Sequence, residues 1–343
     1  MTPGARLAAA IEIVDAIEGA QQFQATPADR LIAGYMRRRR FIGSGDRRYL
    51  SSFVYRLLRH RARLIWWAEG AGLTGAGESP GRGLVLAALR LLEGCAVDHI
   101  VARWSGGKYA PAALDENERQ ALAALPGDIG SGAPPQNVRL EFPGQLAPAL
   151  SERFGEAVEA ELGAFLERPP LALRVNRLLA NRQQVIGSLA TGGIVARPAP
   201  WGENALLIDG HPSIRATECW RAGHIEVQDS GAQLAAGLVA AGPSMQVVDL
   251  CAGAGGKTLA LAATMANSGQ IYAFDTAPAR LGDLAKRLQR AAVRNVTVGG
   301  APDDDRLAVL PAAIDRLVLD VPCSGGDLAA QPRNALADRR QRS

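Results

Sequence analysis

The chain of 343 residues is 48% hydrophobic and 21% charged, with a formal net charge of +4. These values predict a soluble, folded protein of two or three domains, and no apolar run approaches the length of a transmembrane helix. Acidic residues interrupt the apolar N-terminus, which favours an amphipathic helix over a signal peptide. Four separate cysteines without a Cys-x-x-Cys pair argue against disulfides or a zinc site and predict a cytoplasmic location.

Residues 1–125 are predicted to form a helical, Arg-rich domain. Helical periodicity runs over 5–70 and again over 84–124. Residues 1–70 hold twelve Arg and six acidic residues, and aromatic residues interleave with the arginines. This pattern predicts an RNA or DNA partner that contacts the clustered Arg37–Arg40. Most of the aromatic side chains are predicted to lie in the helical core instead.

The middle of the chain changes pattern twice. Residues 126–144 are rich in Pro, Gly and Ser and predict a linker. A helix over 145–166 is followed by short strands and one further helix. We therefore predict a small α+β module, similar to an RRM, over 145–235.

The last part of the chain alternates regularly between strands and helices. The strands are predicted in MQVVDL, GQIYAFD, NVTV and RLVLD, with helices over 256–266 and 278–293. Strands and helices of this length in alternation predict the α/β class, with a doubly wound parallel sheet. We assign this domain to residues 236–326.

A glycine-rich loop follows the first of these strands, in VVDLCAGAGGKTLALA at 247–262. A P-loop would need glycine at Cys251, and a dinucleotide fingerprint would need glycine at Thr258. An S-adenosylmethionine site instead needs an acidic residue at the end of each of the first two strands, and Asp249 and Asp275 stand there. The sequence therefore favours S-adenosylmethionine over ATP or a dinucleotide.

The strand in LVLDVPCSG brings Asp320 and Cys323 to its carboxyl end, where reacting groups gather in open α/β sheets. A lone cysteine is most often a small buried hydrophobic residue. Its position after a proline, beside the predicted cofactor loop, favours a functional role for Cys323.

Together, DLCAGAGGKT and DVPCSG resemble the RsmB/NOP-type (Sun) family of RNA cytosine-5 methyltransferases. The resemblance extends over residues 1–326 and includes LRVNR at 173–177 and VQDSGAQLAA at 227–236. The Arg-rich N-terminus is similar to the NusB-like or RNA-binding extension of that family. One departure is Ala254, where the family usually has proline.

The resemblance implies a class I methyltransferase (Rossmann-like) fold, S-adenosylmethionine as the cofactor, no metal, and RNA, in particular ribosomal RNA, as the partner. It implies catalytic roles for Cys323 and Asp320, with the Asp320 carboxylate against the Watson–Crick edge of a flipped cytosine. Asp304 is taken from the adjacent Asp303, Asp304 and Asp305 as a further cofactor contact. The other implied cofactor contacts are Cys251, Ala252, Gly253, Ala254, Gly255, Gly256, Lys257, Asp275 and Asp320.

The cysteine chemistry leaves two alternatives. In the family, a thiolate from a later Thr-Cys motif adds to C6 of cytosine and makes C5 nucleophilic, and the Pro-Cys thiol, matching Cys323, assists product release. This sequence contains no Thr-Cys pair. Either this chain is not catalytic, or Cys323 is itself the nucleophile, as in DNA cytosine methyltransferases. A non-catalytic RNA-binding protein that uses residues 1–230 is a further hypothesis, and a P-loop NTPase is the weakest.

Residues 327–343 have no apolar period and are interpreted as an aberrant tail. Relatives usually continue with Thr-Trp-Arg-Arg-Asn-Pro, and GC-rich codons for 327–332 spell that run when read one base later. We therefore hypothesise a frameshift near the Gly325 codon, with a natural short form as the alternative; sequencing the locus would decide. The family strand order 3-2-1-4-5-7-6 would then leave the strand at 316–320 as an exposed edge, which predicts poor solubility.

Overall fold

The computed structural model describes residues 1–22, 26–73, 79–210, 212–301, 310 and 314–321. They form two compact units, one of Met1–Arg168 and a second that begins at Pro169. The helices of 145–166, assigned above to the α+β module, therefore lie in the first unit.

The described part of the first unit is helical throughout. Its α-helices are α1 (Pro3–Gln22), α2 (Ala28–Arg38), α3 (Ser44–Arg59), α4 (Arg61–Ala71), α5 (Pro80–Leu91), α6 (Val97–Arg103), α7 (Glu116–Ala124), α8 (Gln136–Arg139), α9 (Ala147–Phe154) and α10 (Val158–Ala164).

Helix α5 lies at the centre of the first unit. From Leu84 to Leu89 every residue is apolar and buried, as expected for a helix that is surrounded by others. Its N-terminus is bound to α1: the Ser79 hydroxyl and the Gly81 N–H both donate to the Asp15 carboxylate, at 2.5 and 2.8 Å. A Cβ at Gly81 would lie 2.8 Å from the carbonyl oxygen of Ile11, so the close approach of the two helices requires glycine.

Several arginines of the predicted basic region have structural partners. Arg6 pairs with Asp46 at 2.6 Å, and Arg39 pairs with Glu12 at 2.6 Å. Most of the interleaved aromatics are buried or half-buried, whereas Phe41 is 75% exposed. The prediction that most of these aromatics belong to the core is confirmed.

The segment predicted as a linker is partly packed. Leu140 and Phe142 are buried and form a small core with α9 and α10. Between them, the buried Glu141 carboxylate accepts the N–H groups of Ala62 and Arg63 at 2.8 and 2.9 Å, in the first turn of α4. Because an acidic group at a helix N-terminus satisfies otherwise unpaired N–H groups, Glu141 fixes this segment to the first unit.

The second unit starts with a small antiparallel sheet, in the order β2-β3-β1-β4. Its elements are β1 (Leu171–Val175), α11 (Arg182–Thr191), β2 (Ala196–Pro198), β3 (Ala205–Ile208), α12 (Glu218–Arg221) and β4 (Ile225–Val227).

A parallel sheet follows, in the order β7-β6-β5-β8. Its elements are α13 (Ser230–Leu238), β5 (Gln246–Asp249), α14 (Gly256–Thr264), β6 (Gln270–Ala273), α15 (Pro278–Arg290), β7 (Val296–Val298) and β8 (Arg316–Val318). Val248 of β5 is in register with Tyr272 of β6 and Leu317 of β8. The predicted parallel sheet and the start of the predicted strand order, 3-2-1-4, are confirmed.

Within the described ranges, no helix is both long and apolar enough to cross a membrane. The same residues contain no group of three or more His, Cys, Asp or Glu side chains that could hold a metal ion.

Candidate cofactor and catalytic site

The carboxyl ends of β5, β6 and β8 bring three acidic residues and one glycine-rich loop to the same edge of the parallel sheet. Asp249 ends β5, Asp275 follows β6 and Asp320 follows β8. The loop of residues 250–255 connects β5 to α14. Ligands bind at this edge in open α/β sheets. Of the three carboxylates there, Asp249 and Asp275 are buried and Asp320 is exposed.

The glycine-rich loop depends on two glycines with left-handed backbone conformations. Gly253 has φ +55° and Gly255 has φ +83°, values that residues with a side chain rarely adopt. A Cβ at Gly255 would also lie 2.1 Å from the Leu284 side chain of α15. The turn is closed by the Gly255 N–H, which donates to the Ala252 carbonyl at 2.8 Å, and α14 begins directly afterwards at Gly256.

The Asp275 carboxylate holds the loop against the end of β6. One oxygen accepts the Gly253 N–H and the other accepts the Ala277 N–H, both at 2.8 Å. Asp275 is buried. Each carboxylate oxygen can accept two hydrogen bonds, so Asp275 keeps acceptor capacity for a ligand.

Asp249 is the least satisfied acidic residue of the site. Its Oδ2 accepts the buried Thr258 hydroxyl at 2.7 Å, while its Oδ1 is buried and no group in the described part of the chain forms a hydrogen bond of good geometry with it. Burial raises the pKa of Asp249; the Thr258 hydroxyl and a weaker backbone hydrogen bond from Cys251 act in the opposite direction. A buried acceptor without a partner is uncommon in folded proteins and marks a position where a ligand donor would be stabilising.

Asp320 forms an ion pair with Lys257, the second residue of α14. The Asp320 side chain is 55% exposed, whereas that of Lys257 is 18% exposed. The pair joins the end of β8 to the start of α14 and leaves the Asp320 carboxylate accessible to a second partner.

Cys251 lies in the loop and is half-buried. Burial, followed by the charges of Asp275, Asp249 and Asp320, raises the pKa of its thiol. A thiol must ionise before it can attack, so this environment opposes a nucleophilic role and suits a packing or binding role.

The remaining predicted residues are two alanines of the loop and several residues outside the described part of the chain. Ala252 is buried, and its N–H donates to the Phe274 carbonyl at 2.9 Å. The Ala254 carbonyl accepts from Arg287 at 2.5 Å. Cys323 and the Asp303, Asp304 and Asp305 run lie outside the described residues, as does the tail of residues 327–343.

The geometry disfavours a P-loop. In such a loop the Ser or Thr hydroxyl binds Mg²⁺ and the lysine reaches the phosphates. Here Thr258 is fully buried and donates to Asp249, and Lys257 pairs with Asp320. Neither side chain has the position that nucleotide phosphates would need.

Sequence reasoning missed two groups that support the loop. Thr258 was considered only as a mismatch to a fingerprint, yet it is the hydrogen-bond partner of Asp249. Arg287 contacts both the loop carbonyl of Ala254 and the Glu226 carboxylate of β4, at 2.5 and 2.9 Å. Nothing in the sequence pattern of α15 distinguishes Arg287 from the exposed arginines around it.

Two family models match this chain. One, described as "16S rRNA methyltransferase RsmB/F", matches residues 238–343, and the other, "Methyltr_RsmF/B-like, ferredoxin-like domain", matches residues 142–215. The chain belongs to the RsmB/NOP (Sun) family. The ferredoxin-like model spans α9, α10 and the antiparallel sheet from β1 to β3, and the methyltransferase model spans the parallel sheet.

Curated relatives agree with this family. The chain is 33% identical to "26S rRNA (cytosine-C(5))-methyltransferase nsun-1" of Caenorhabditis elegans, over 48% of this chain and 26% of the relative. It is 30% identical to "Ribosomal RNA small subunit methyltransferase B" of Pseudomonas syringae, over 54% of this chain and 42% of the relative. The protein of that name in Xylella fastidiosa is 27% identical, over 86% of this chain and 70% of the relative. The chain thus spans less than half the length of the first two.

Solved structures share the fold. The crystal structure of PH0851 superposes with a TM-score of 0.67 at 20% identity, over 96% of this chain and 78% of that one. A "Methyltransferase Homolog Protein from Pyrococcus Horikoshii" has a TM-score of 0.52 at 27% identity, over 60% and 67% of the two chains. NSun6 from Pyrococcus horikoshii, solved with SFG, has a TM-score of 0.50 at 18% identity, over 59% and 78%. The predicted class I methyltransferase fold is confirmed.

Proposed function

We propose that this RsmB/NOP chain binds S-adenosylmethionine and methylates C5 of cytosine in RNA, with ribosomal RNA as the substrate class. The observation that carries the proposal is the cradle formed by Asp249, Asp275 and the loop between them. A buried carboxylate oxygen without a partner and two left-handed glycines stand together at the ligand-binding edge of the sheet. The names of the relatives support the choice of reaction and substrate.

The described residues fit S-adenosylmethionine. Its ribose hydroxyls are donors that the remaining acceptor capacity of Asp275 can satisfy, and its cationic part suits an edge that carries Asp249 and Asp320. The side-chain-free loop at Gly253 and Gly255 allows a ligand to approach the backbone. We propose that residues 251–257, Asp275 and Asp320 hold the cofactor, with Asp304 as a further contact. When bound, the cofactor supplies an electrophilic methyl group.

For the substrate base, we propose that the Asp320 carboxylate accepts hydrogen bonds from the Watson–Crick edge of cytosine. Its exposure and its place at the end of β8 support this role. Lys257 orients the carboxylate through their ion pair. The base must leave its stack to reach this edge. Cys323 follows three residues later and is proposed as the catalytic thiol of this segment. Because the chain has no Thr-Cys pair, methyl transfer by this chain requires Cys323 to be the nucleophile.

RNA contact by the first unit is a separate part of the proposal. Arg37, Arg38 and Arg40 are exposed, with no ion-pair partner among the described residues, and Phe41 beside them is 75% exposed. Basic side chains bind phosphates and an exposed aromatic ring can stack on a base. The same surface favours the second candidate function, RNA binding without catalysis.

A cytoplasmic location, inferred from the unpaired cysteines, belongs to the proposal as well.

The test is calorimetry of the full chain with S-adenosylmethionine, followed by transfer of a labelled methyl group to ribosomal RNA. We expect binding that Asp275→Asn weakens, and label in C5-methylcytosine. Absence of cofactor binding would contradict the proposal.

Salt-dependent RNA binding without methyl transfer would favour the non-catalytic alternative. Covalent RNA adducts that disappear in Cys323→Ala would identify Cys323 as the nucleophile, whereas adducts that persist in it would assign the attack to another thiol.

A further inference from the structure

The antiparallel module is joined to the cofactor loop by one buried carboxylate. Glu226 of β4 is 1% exposed and accepts from Arg287 at 2.9 Å and from Arg290, both on α15. Arg287 uses its second terminal nitrogen to donate to the Ala254 carbonyl, at 2.5 Å. A continuous set of charge-assisted hydrogen bonds therefore runs from the module to the middle of the loop.

Ala254 depends on this contact more than its neighbours do. Gly253 donates to Asp275, and Gly255 donates to Ala252. Within the described ranges, the N–H of Ala254 has no hydrogen-bond acceptor, and its carbonyl accepts only from Arg287. Glycines flank Ala254 on both sides, and among the described residues Arg287 is the side chain that restrains it.

The two arginines differ in what they contact besides Glu226. Arg290 donates to the Trp220 carbonyl at 3.2 Å and stacks on the Trp220 ring at 3.7 Å. Its contacts besides Glu226 are therefore with the antiparallel module as well. Arg287 alone of the two reaches the loop. The module also keeps another attachment, because the Asn176 amide donates to the carbonyls of Gly223 and Ala291 at 3.0 and 2.9 Å.

We propose that Arg287, held in place by Glu226, is a positioning residue for the cofactor loop, so that the antiparallel module determines how well the loop is ordered for S-adenosylmethionine. The ligand part of this inference rests on the proposed function; the ordering of the loop does not. The planar guanidinium is suited to the role, because one side chain can donate to two partners in fixed directions.

The test compares Arg287→Met with Arg290→Met in the full chain. Each substitution removes one ion pair to Glu226 and keeps an unbranched side chain, but only Arg287→Met frees the loop. Hydrogen exchange of the 252–257 amides, measured without ligand, should accelerate in Arg287→Met and stay unchanged in Arg290→Met. The Kd for S-adenosylmethionine, by calorimetry, should rise about tenfold in Arg287→Met, as expected for one lost charge-assisted hydrogen bond, and less than about twofold in Arg290→Met.

Equal exchange and equal affinity in the two variants would overturn the inference. Thermal melts of both variants separate a local loss of order from a failure to fold. If the unaltered protein does not bind S-adenosylmethionine, the proposed function fails, and the exchange comparison still decides whether Arg287 orders the loop.

A second variant adds a rescue. The Ala254 N–H has no acceptor to lose, and its φ is not in the left-handed region, so proline can restrain the residue without Arg287. Ala254→Pro combined with Arg287→Met should restore slow exchange and cofactor affinity. A double variant no better than Arg287→Met would contradict the role of loop restraint.

Discussion

The two sheets of the second unit differ in whether their buried polar groups have hydrogen-bond partners. In the antiparallel sheet, Arg174 donates to Gln228 at 2.6 Å, Asn176 bridges two carbonyls, and Glu226 binds two arginines. In the domain of the parallel sheet, Asp249 Oδ1 and Asn295 Oδ1 are buried without partners among the described residues. In the antiparallel module these buried groups are paired, partly with α15 of the parallel domain, whereas the parallel sheet keeps acceptors open.

The positions of the two open acceptors show which one is relevant to a ligand. Asn295 precedes β7, at the amino edge of the sheet, and nothing in the structure explains its free oxygen. Asp249 ends β5, at the carboxyl edge where ligands bind. Functional sites commonly contain groups that are costly for the free protein and are satisfied by the ligand, and Asp249 has that character.

The largest effect on stability is expected for Glu226→Ala, in the antiparallel sheet. It would leave Arg287 and Arg290 partly buried without their counter-charge, and loss of one partner of a buried pair costs about 3–5 kcal/mol. The free energy of unfolding from denaturant melts measures this effect. Glu203→Ala is the control, because Glu203 is exposed in the same module and its loss should change stability by less than about 0.5 kcal/mol. Similar losses in both variants would show that Glu226 is not the centre of the module.

Asp249→Asn, in the parallel sheet, should have the opposite effect on stability. The neutral amide removes the charge that burial disfavours and can still accept from Thr258, so the ligand-free protein should melt at a higher temperature. Affinity for S-adenosylmethionine should fall about tenfold through loss of a charge-assisted hydrogen bond. Thr258→Val is the matched variant, since it takes the hydroxyl from Asp249 and should lower the melting temperature. An Asp249→Asn protein that is less stable and binds normally would contradict the role of this acceptor.

The pH dependence of stability follows from the raised pKa of Asp249. The folded state keeps this proton to a higher pH than the unfolded chain does, so stability decreases as the pH rises from the ordinary carboxyl value of 3.8 through the folded pKa. Asp249→Asn should remove that part of the decrease. Melting temperatures of the two proteins across this range test the sign, and parallel curves would exclude Asp249 as its source.

A smaller effect is expected at Cys251. Its raised pKa should make alkylation by iodoacetamide slow near neutral pH, because only the thiolate reacts. Asp320→Asn removes one of the negative charges and should speed the reaction about twofold. Mass spectrometry of the peptide that contains Cys251 measures the rate. Fast alkylation in the unaltered protein would contradict the environment described for this thiol.

The smallest effect on stability is expected at the edge of the parallel sheet. In the described part of the chain β8 pairs on one side only, with β5, and Leu317 is 55% exposed. Leu317→Lys should reduce aggregation, seen by light scattering, while stability changes by less than about 0.5 kcal/mol. Leu238→Lys is the control, because Leu238 is 86% exposed but is the last residue of helix α13. An equal gain from both variants would point to general hydrophobicity and not to the strand edge.

Sequence patterns were sufficient for the strands and helices of the second unit, since each signal is local. Asp229, for example, caps α13 by accepting the Gly231 N–H at 2.8 Å. The linker prediction for 126–144 missed the packing of Leu140, Phe142 and Glu141. Their partners on α4 and α10 are distant in sequence, and a segment rich in Pro and Gly carries no period that would reveal them.

Local residue patterns were enough to predict the order of the elements, the glycine-rich loop and the acidic residues at the strand ends, because turns, caps and strand ends depend on neighbouring residues. The open acceptor of Asp249 and the contact of Arg287 with the loop became visible only in the folded chain. Glu226 lies 61 residues from Arg287, and Arg287 lies 33 residues from Ala254. Contacts across such separations are set by how the sheets pack, and local residue patterns do not encode them.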